Sequence, residues 1–296
     1  MNVLVTGWFS FPHHHATAGD LLACEVVCGW LEDGAIPFDV ALGAPFRGGV
    51  DWKSVAPTSY SHLLFVCGPV GPSRTVVVEL LKRFESLTRI AINVTMQEPL
   101  DRWNPFDLLL ERDSSALTRP DVTFASRAPA VPVLGLVLVE PYAPEEHPGR
   151  DLQRVARDAI HRLLHAREVA VVPIDTRLDV NATALRTTSE VESAIARMDA
   201  VVTTRLHGMV LALKNGVPAL AVDSVAGGAK IRLQAERIGW PAILTADALS
   251  DAALQEALDF CLSEEGRRTA TECASRALAD AEATRADLLA ALRVRD

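Results

Sequence analysis

Residues 199–239 read DAVVTTRLHGMVLALKNGVPALAVDSVAGGAKIRLQAERIG and contain the pattern that decides the fold class. Two short apolar runs, residues 200–204 and 219–222, predict buried strands. A stretch of helical period follows each of them, over residues 208–214 and 228–238. Strands that alternate with helices in this way are typical of α/β domains with a parallel sheet.

The same alternation occurs upstream and divides the chain into two halves. A buried strand at residues 2–6 is followed by a loop and then by a helix at residues 20–31, with Asp20 as its N-cap. Five prolines lie between residues 128 and 149, which predicts a linker between domains. We therefore predict two α/β domains and a C-terminal helix. These parts cover residues 1–130, 131–265 and 266–296.

The composition is that of a globular protein and argues against several partners. The 296 residues are 49% hydrophobic and 23% charged and carry a formal net charge of −9. The acidic excess is spread over both halves without a basic patch, which argues against nucleic acid or an anionic membrane as a partner. The longest apolar run, residues 130–139, is well below the ~20 residues that span a bilayer, so no membrane span is predicted. Because the five cysteines are scattered and no secretory signal or metal-ligand spacing is visible, we expect a reduced, cytoplasmic protein without a metal.

The strand ends within residues 199–239 carry the candidate functional residues. Ligands bind beyond the carboxyl ends of strands in open parallel sheets, and the first strand delivers Arg205 and His207 there. Arg205 offers a planar cation for a carboxylate or phosphate, and His207 can donate or accept a proton near neutral pH. Lys230, one of four lysines in the chain, follows the second strand. In the simpler alternative, Arg205 belongs to an ion pair at the strand end and His207 is a buried, hydrogen-bonded side chain.

No motif for a bound cofactor follows the first strand. Gly7, Trp8 and Phe9 stand where a dinucleotide-binding domain has its glycine-rich turn. The chain also has neither a P-loop nor a Gly-x-Ser-x-Gly elbow. We therefore predict that the protein uses no cofactor.

Several elements, taken together, resemble the polysaccharide pyruvyl transferases. The most specific is Arg-Leu-His-Gly after a buried strand, followed by a Gly-x-Pro strand and a helix that bears a lysine. Upstream are a Gly-Asp pair that opens the first helix and an Arg-Asp-x-Ser element followed by Pro-Asp. In this sequence Arg-Leu-His-Gly is residues 205–208, Gly-x-Pro is residues 216–218 and the lysine is Lys230. The upstream Gly-Asp pair is Gly19-Asp20, and Arg-Asp-x-Ser is residues 112–115, followed by Pro120-Asp121. Their order matches the family over about residues 20–240.

The resemblance implies two Rossmann-like domains that face each other across a cleft, as in GT-B glycosyltransferases, with the C-terminal helix packing back on the first domain. It also implies transfer of pyruvate from phosphoenolpyruvate, the donor substrate, to hydroxyls of a sugar or polysaccharide precursor as a ketal. The first domain would bind the acceptor and the second the donor, with His207 as general acid and base. The residues expected to bind substrate are Arg205, Leu206, Gly208, Lys230, Arg112, Asp20, Gly19 and His15.

Several alternatives remain open at the level of sequence. The same architecture would serve a glycosyltransferase that uses a nucleotide sugar, or a binding protein without catalysis. Asp20 is either a helix cap or an acceptor ligand, and Arg112 is either a substrate ligand or part of a surface ion pair with Asp113. The histidines at residues 13–15 cannot all point at one ion, and their contact with substrate is left open. The C-terminal helix is also a candidate contact for a homo-oligomer.

Overall fold

The computed structural model describes residues 1–139 and 151–293 and divides into two compact units. The first unit is Met1–Pro129 and the second is Ala130–Asp296, so the division falls one residue before the expected boundary. Each unit contains a five-stranded sheet in which all the strand pairings are parallel. The α/β class with two sheet domains is therefore confirmed, whereas their arrangement across a cleft stays a prediction. Part of the expected linker, residues 140–150, lies outside the described residues.

The sheet of the first unit has the strand order β2-β1-β3-β4-β5. Its strands are β1 Val3–Gly7, β2 Phe38–Val40, β3 His62–Val70, β4 Thr88–Met96 and β5 Leu108–Leu110. β1 is buried along its whole length, as expected of a central strand in a parallel sheet that is covered on both faces. β2 was not predicted from the sequence, because its three half-buried residues include Asp39 and form no apolar run.

Two helices belong to this unit, α1 Ala18–Asp33 and α2 Thr75–Arg83. The expectation that Asp20 is the N-cap of the first helix is wrong. Thr17 is the N-cap, and its hydroxyl accepts a hydrogen bond from the backbone N–H of Asp20 at 3.4 Å. The Asp20 carboxylate in turn accepts the backbone N–H and the hydroxyl of Thr17, each at 2.8 Å. Asp20 therefore completes a capping box from the third helical position.

The sheet of the second unit has the order β10-β9-β8-β6-β7, which is the topology of the first sheet with β6 in the place of β1. Its strands are β6 Val133–Val137, β7 Ala170–Pro173, β8 Ala200–Thr203, β9 Ala219–Asp223 and β10 Ile243–Thr245. In each sheet the chain starts at an inner strand, adds one neighbour on one side, and then crosses to the other side. This crossing creates a switch point, between β1 and β3 in the first sheet and between β6 and β8 in the second.

Six helices of the second unit lie in the described ranges. They are α3 Gln153–His165, α4 Thr188–Ile195, α5 Leu206–Lys214, α6 Lys230–Ile238, α7 Asp251–Leu262 and α8 Glu264–Arg293. The C-terminal helix α8 contacts α5, α6 and α7 and buries Gly266, Ala270 and Cys273. Its packing against the first domain stays a prediction, and residues 294–296 lie outside the described residues.

Both units have a dense apolar core beneath their sheets. Phe9 and Phe65 are fully buried in the first unit, and Met209 and Trp240 in the second. The indole N–H of Trp240 donates to the carbonyl of Ala219 at 2.7 Å, so its one polar atom is satisfied. Within residues 1–139 and 151–293, no helix is both long and apolar enough to cross a bilayer.

Candidate functional site

The second unit has a cavity at the switch point of its sheet. β6 and β8 pair with each other, but the chain passes through β7 between them, so the loops that follow β6 and β8 diverge. The cavity that remains at their carboxyl ends has a volume of about 290 Å³. Arg205, Leu206, His207 and Lys230 line it, whereas Gly208 does not. The structure therefore brings together four of the five residues expected in the second domain.

Arg205 is the N-cap of α5 and is fixed at both its backbone and its side chain. Its backbone N–H donates to Oγ1 of Thr203 at 2.9 Å, and that hydroxyl donates to the carbonyl of Val137 at 2.8 Å. Nε donates to the carbonyl of Leu138 at 2.8 Å, and Nη2 lies 3.9 Å from Oδ1 of Asp175. The strand-end ion pair thus exists but is long. Among the described residues Nη1 has no hydrogen-bond partner, which leaves part of the guanidinium available to a ligand.

His207 and Gly208 occupy the first turn of α5 and have opposite environments. His207 is exposed and lines the cavity, so it is not the buried core histidine of the simpler alternative. Gly208 is buried, and a Cβ at this position would lie 2.2 Å from Oγ1 of Thr203 and 2.9 Å from Cγ1 of Val137. A glycine is therefore needed for α5 to begin this close to the sheet. Contact between Gly208 and substrate stays a prediction.

Helices α5 and α6 both begin at the cavity, and their N-termini are satisfied differently. Within the described residues, no side chain caps α5, so its first N–H groups are open to an anion. The N-terminus of α6 is closed by the buried carboxylate of Asp223, which accepts the backbone N–H groups of Ala229 at 2.7 Å and Arg232 at 3.0 Å. Lys230 is exposed in the first turn of α6. The cavity is therefore electropositive along α5 and contains a fixed negative charge at α6.

Arg112, the third expected anion-binding cation, belongs to a cluster in the first unit. Its Nη1 donates to Asp121 at 2.8 Å, its Nε to Asp113 at 3.1 Å and its Nη2 to Oγ1 of Thr95 at 2.6 Å. The ion pair with Asp113 is thus present, and it is one part of a larger network. Arg112 does not line the second-unit cavity, and its role in substrate binding stays a prediction.

Asp121 is expected to stabilise the first unit in a pH-dependent way. Burial alone raises the pKa of its carboxyl, but the Thr123 N–H, Arg112 and Asn93 lower that pKa from 3.8 to about 2. We expect Asp121→Asn to lower the free energy of unfolding by about 1–3 kcal/mol at neutral pH, because Arg112 and Asn93 lose an ionised acceptor. Since the folded-state pKa is depressed, this contribution is present above about pH 4 and is lost as the pH falls towards 2.

Urea denaturation of both proteins from about pH 7 down to about pH 2 measures this effect. The difference in free energy of unfolding between wild type and Asp121→Asn should shrink as the solution becomes more acidic. A difference that stays constant over the whole range would show that the carboxylate charge of Asp121 does not contribute.

The first unit has its own cavity of about 380 Å³, next to the switch point between β1 and β3. His15 and Asp20 line this cavity, whereas Gly19 does not. His14 is also on its wall and His13 is not, so the three consecutive histidines do not share one environment. Binding of substrate by Gly19, Asp20 and His15 stays a prediction.

The sequence did not reveal the residues that position Arg205. The sequence also predicts a strand at residues 168–174. Asp175 directly follows it, and a polar residue at the end of a strand is a signal that was available. Thr203 carries no comparable signal, because threonine is ordinary in a buried strand. Arg74, on the wall of the first-unit cavity, was also missed.

Comparison with known proteins gives one family match and several distant structural similarities. A family model described as polysaccharide pyruvyl transferase matches residues 111–224. No curated protein matches the chain. Three solved structures are similar at low identity. The spinosyn forosaminyltransferase SpnP is 12% identical, with 93% of this chain and 94% of that chain covered and a TM-score of 0.32. A UDP-GlcNAc 2-epimerase from Methanocaldococcus jannaschii is 8% identical, with 96% of this chain and 100% of that chain covered and a TM-score of 0.34. The glycotransferase of kitacinnamycin is 9% identical, with 94% of each chain covered and a TM-score of 0.34.

The family match covers less than half of the chain and lies over the strand and helix that build the second-unit cavity. It includes Arg112, Arg205, His207 and Gly208, and it ends before Lys230. Over residues 111–224 it confirms the resemblance of this chain to the polysaccharide pyruvyl transferases.

Proposed function

We propose that the protein transfers pyruvate from phosphoenolpyruvate to hydroxyls of a sugar or polysaccharide precursor as a ketal, and that the second-unit cavity binds the donor. One observation carries this proposal. Arg205 and His207 line a single cavity with Lys230, and both lie in the segment that matches the pyruvyl transferase family. The position of this cavity at a sheet switch point, where α/β domains bind ligands, supports the same conclusion.

The groups on the cavity wall suit a small molecule with two anionic ends. Phosphoenolpyruvate carries a carboxylate and a phosphate. The unused edge of the Arg205 guanidinium can bind either group in a planar fork, and the open N–H groups of α5 add further donors. Lys230 supplies a second cation on the same wall. The net charge of −9 does not oppose this binding, because the relevant positive charges are local.

Ketal formation joins two sugar oxygens to carbon 2 of the donor and breaks its bond to the phosphate oxygen. The methylene carbon first takes a proton and becomes a methyl group, which leaves an oxocarbenium-like carbon 2. One hydroxyl attacks this carbon, phosphate departs, and a second hydroxyl closes the ketal. Two hydroxyl protons are released. One replaces the proton used at the methylene carbon, and the other leaves with inorganic phosphate, so the step needs no oxidant or reductant.

His207 is the group proposed to move these protons. Its exposed imidazole projects from the first turn of α5, and a histidine changes its protonation state near neutral pH. It donates a proton to the methylene carbon and accepts one from an attacking hydroxyl. A positioned acid–base group of this kind accelerates a reaction by about 10²–10⁴. Arg205 and Lys230 stabilise the negative charge that develops on the departing phosphate.

A thermal-shift comparison of two donors tests the proposal without knowledge of the acceptor. Phosphoenolpyruvate is expected to raise the melting temperature of the full chain, because it binds the folded state, and UDP-glucose is not. With a panel of sugars, mass spectrometry should then detect a product heavier by one pyruvate ketal, and in D₂O its methyl group should carry one deuteron. Stabilisation by UDP-glucose with release of UDP would identify a glycosyltransferase instead. Stabilisation by neither donor would contradict donor binding.

A further inference from the structure

The first-unit cavity repeats the construction of the second-unit cavity around a different arginine. The two sheets share one strand order, in which β3 corresponds to β8. Arg74 is the N-cap of the helix that follows β3, as Arg205 is the N-cap of the helix that follows β8. Each arginine lines the cavity of its own unit. Arg74 is therefore the topological counterpart of Arg205.

The side chain of Arg74 is held in place by neutral groups. Its Nε donates to Oε1 of Gln97 at 3.0 Å, and its guanidinium carbon lies 5.7 Å from the centre of the Trp8 ring. Trp8 is only 8% exposed, so the ring is a fixed support for the cation. Among the described residues, no carboxylate pairs with Arg74 and neither Nη atom has a hydrogen-bond partner. This guanidinium is thus held in one orientation, and residues 1–139 and 151–293 supply no counterion for it.

The surrounding wall adds donors for an oxyanion. Ser73 and Thr75 flank Arg74 and bring two hydroxyl groups to the same cavity. Helix α2 begins there without a side-chain cap. In the part of the chain that the structure describes, Asp20 is the one carboxylate on this wall, and its Oδ2 already accepts two hydrogen bonds from Thr17. The positive charge of Arg74 is therefore available to a ligand.

We propose that the first-unit cavity binds an anionic group, a phosphate or a carboxylate, that is carried by the acceptor, with Arg74 as its principal ligand. Anion binding at Arg74 follows from this unit alone. Its assignment to the acceptor rests on the proposed function, which places the donor in the second unit. The acceptor is accordingly an anionic sugar. Asp20 and His15, on the same wall, contact its hydroxyls.

Titration calorimetry on the full-length Arg205→Gln variant tests this proposal, because that background removes the corresponding cation of the second unit. The probes are inorganic phosphate, glucose 1-phosphate, glucuronate and uncharged methyl glucoside. We expect saturable binding of inorganic phosphate. We also expect its dissociation constant to rise by about tenfold or more when Arg74→Gln is added, since charge-assisted hydrogen bonds are lost. Glucose 1-phosphate and glucuronate distinguish a phosphate from a carboxylate as the preferred group.

Two further variants make the comparison specific. Lys82→Gln removes the same charge from the exposed last turn of α2, away from the cavity wall, and should leave phosphate binding unchanged. Arg74→Lys keeps the charge but loses the planar fork and the contact with the Trp8 ring, so its affinity should be intermediate. It also provides the comparison if Arg74→Gln does not fold.

Three results would overturn the proposal. They are the absence of saturable phosphate binding in Arg205→Gln, equal phosphate affinity with and without Arg74, and binding of uncharged methyl glucoside as tight as that of glucose 1-phosphate and glucuronate. Failure of the proposed function is a separate observation. It would appear as no stabilisation of the wild-type chain by phosphoenolpyruvate, and it would leave the titrations of Arg74 unaffected.

Discussion

Replacing His207 by alanine is expected to lower the rate of pyruvyl transfer by about 10²–10⁴, because among the described residues His207 is the one imidazole on that cavity wall. The loss should appear in kcat, whereas KM for phosphoenolpyruvate should change little, since Arg205 and Lys230 remain. The imidazole is exposed, so the substitution removes no core contact and should leave the melting temperature unchanged. Steady-state kinetics on the purified variant measures the effect.

His165→Ala is the matched control for His207→Ala. His165 is an exposed histidine in the last turn of α3 and does not line the cavity. Its replacement removes the same side chain from the same unit and should leave both kcat and KM at the wild-type values. Added imidazole should restore part of the activity of His207→Ala alone. Full activity of His207→Ala would show that another group transfers the protons.

Replacing Arg205 by lysine is expected to raise KM for phosphoenolpyruvate by about 10- to 100-fold, which corresponds to the loss of one hydrogen bond between charged groups, about 1.5–3 kcal/mol. Lysine keeps the charge but has a single nitrogen, so it cannot offer a planar anion two parallel N–H groups as a guanidinium held at Nε by Leu138 can. A smaller decrease in kcat should accompany the change, because stabilisation of the departing phosphate is also weakened. Initial rates over a range of phosphoenolpyruvate concentrations separate the two parameters.

Lys214→Gln is the matched control for Arg205→Lys, because Lys214 lies in the last turn of the same helix. Its ammonium forms an exposed ion pair with Glu192, and such pairs contribute little to stability. The variant should therefore keep the wild-type KM. If Arg205→Lys also kept the wild-type KM, Arg205 would not be a ligand of the donor, and the second-unit cavity would lose its main reason for binding an anion.

The part of the site that the sequence predicts best is the strand and helix around Arg205. The strand expected at residues 200–204 is observed as Ala200–Thr203, and the helix expected at residues 208–214 is observed as Leu206–Lys214. An uninterrupted apolar run in a buried parallel strand leaves little ambiguity. The position at the carboxyl end of that strand then indicated Arg205 and His207, the resemblance added Leu206, and all three line one cavity.

Arg74 was missed because the strand before it continues past residues that normally end a strand. The sequence predicts a strand at residues 61–67 that stops before Gly68 and Pro69, whereas β3 extends to Val70. Cys67 and Gly68 both have positive φ angles, +64° and +84°, which interrupt the pairing locally without ending it. Gly68 and Pro69 therefore indicated a loop where the strand continues. That Arg74 follows β3 as Arg205 follows β8 is seen only from the strand order of the two sheets.

Asp20 shows a different limit of sequence reasoning. Both Thr17 and Asp20 are residues that cap helices well, and they stand three positions apart, as in a capping box. Which of them is the N-cap depends on where the backbone leaves the extended conformation. Thr17 is extended, with φ −101° and ψ 169°, so the helix begins immediately after it.

The buried carboxylate of Asp223 gives the second-unit cavity an electrical polarity. The open amino terminus of α5 lies on the cavity wall, and the amino terminus of α6 on the same wall is already occupied by this carboxylate of the protein. A ligand with two unequal charges therefore meets a gradient that favours one direction of entry. For phosphoenolpyruvate, the proposed donor, the more highly charged phosphate is therefore expected to lie towards α5, with Lys230 as the cation on the α6 side. The charges on the cavity wall are thus expected to set the orientation of the proposed donor.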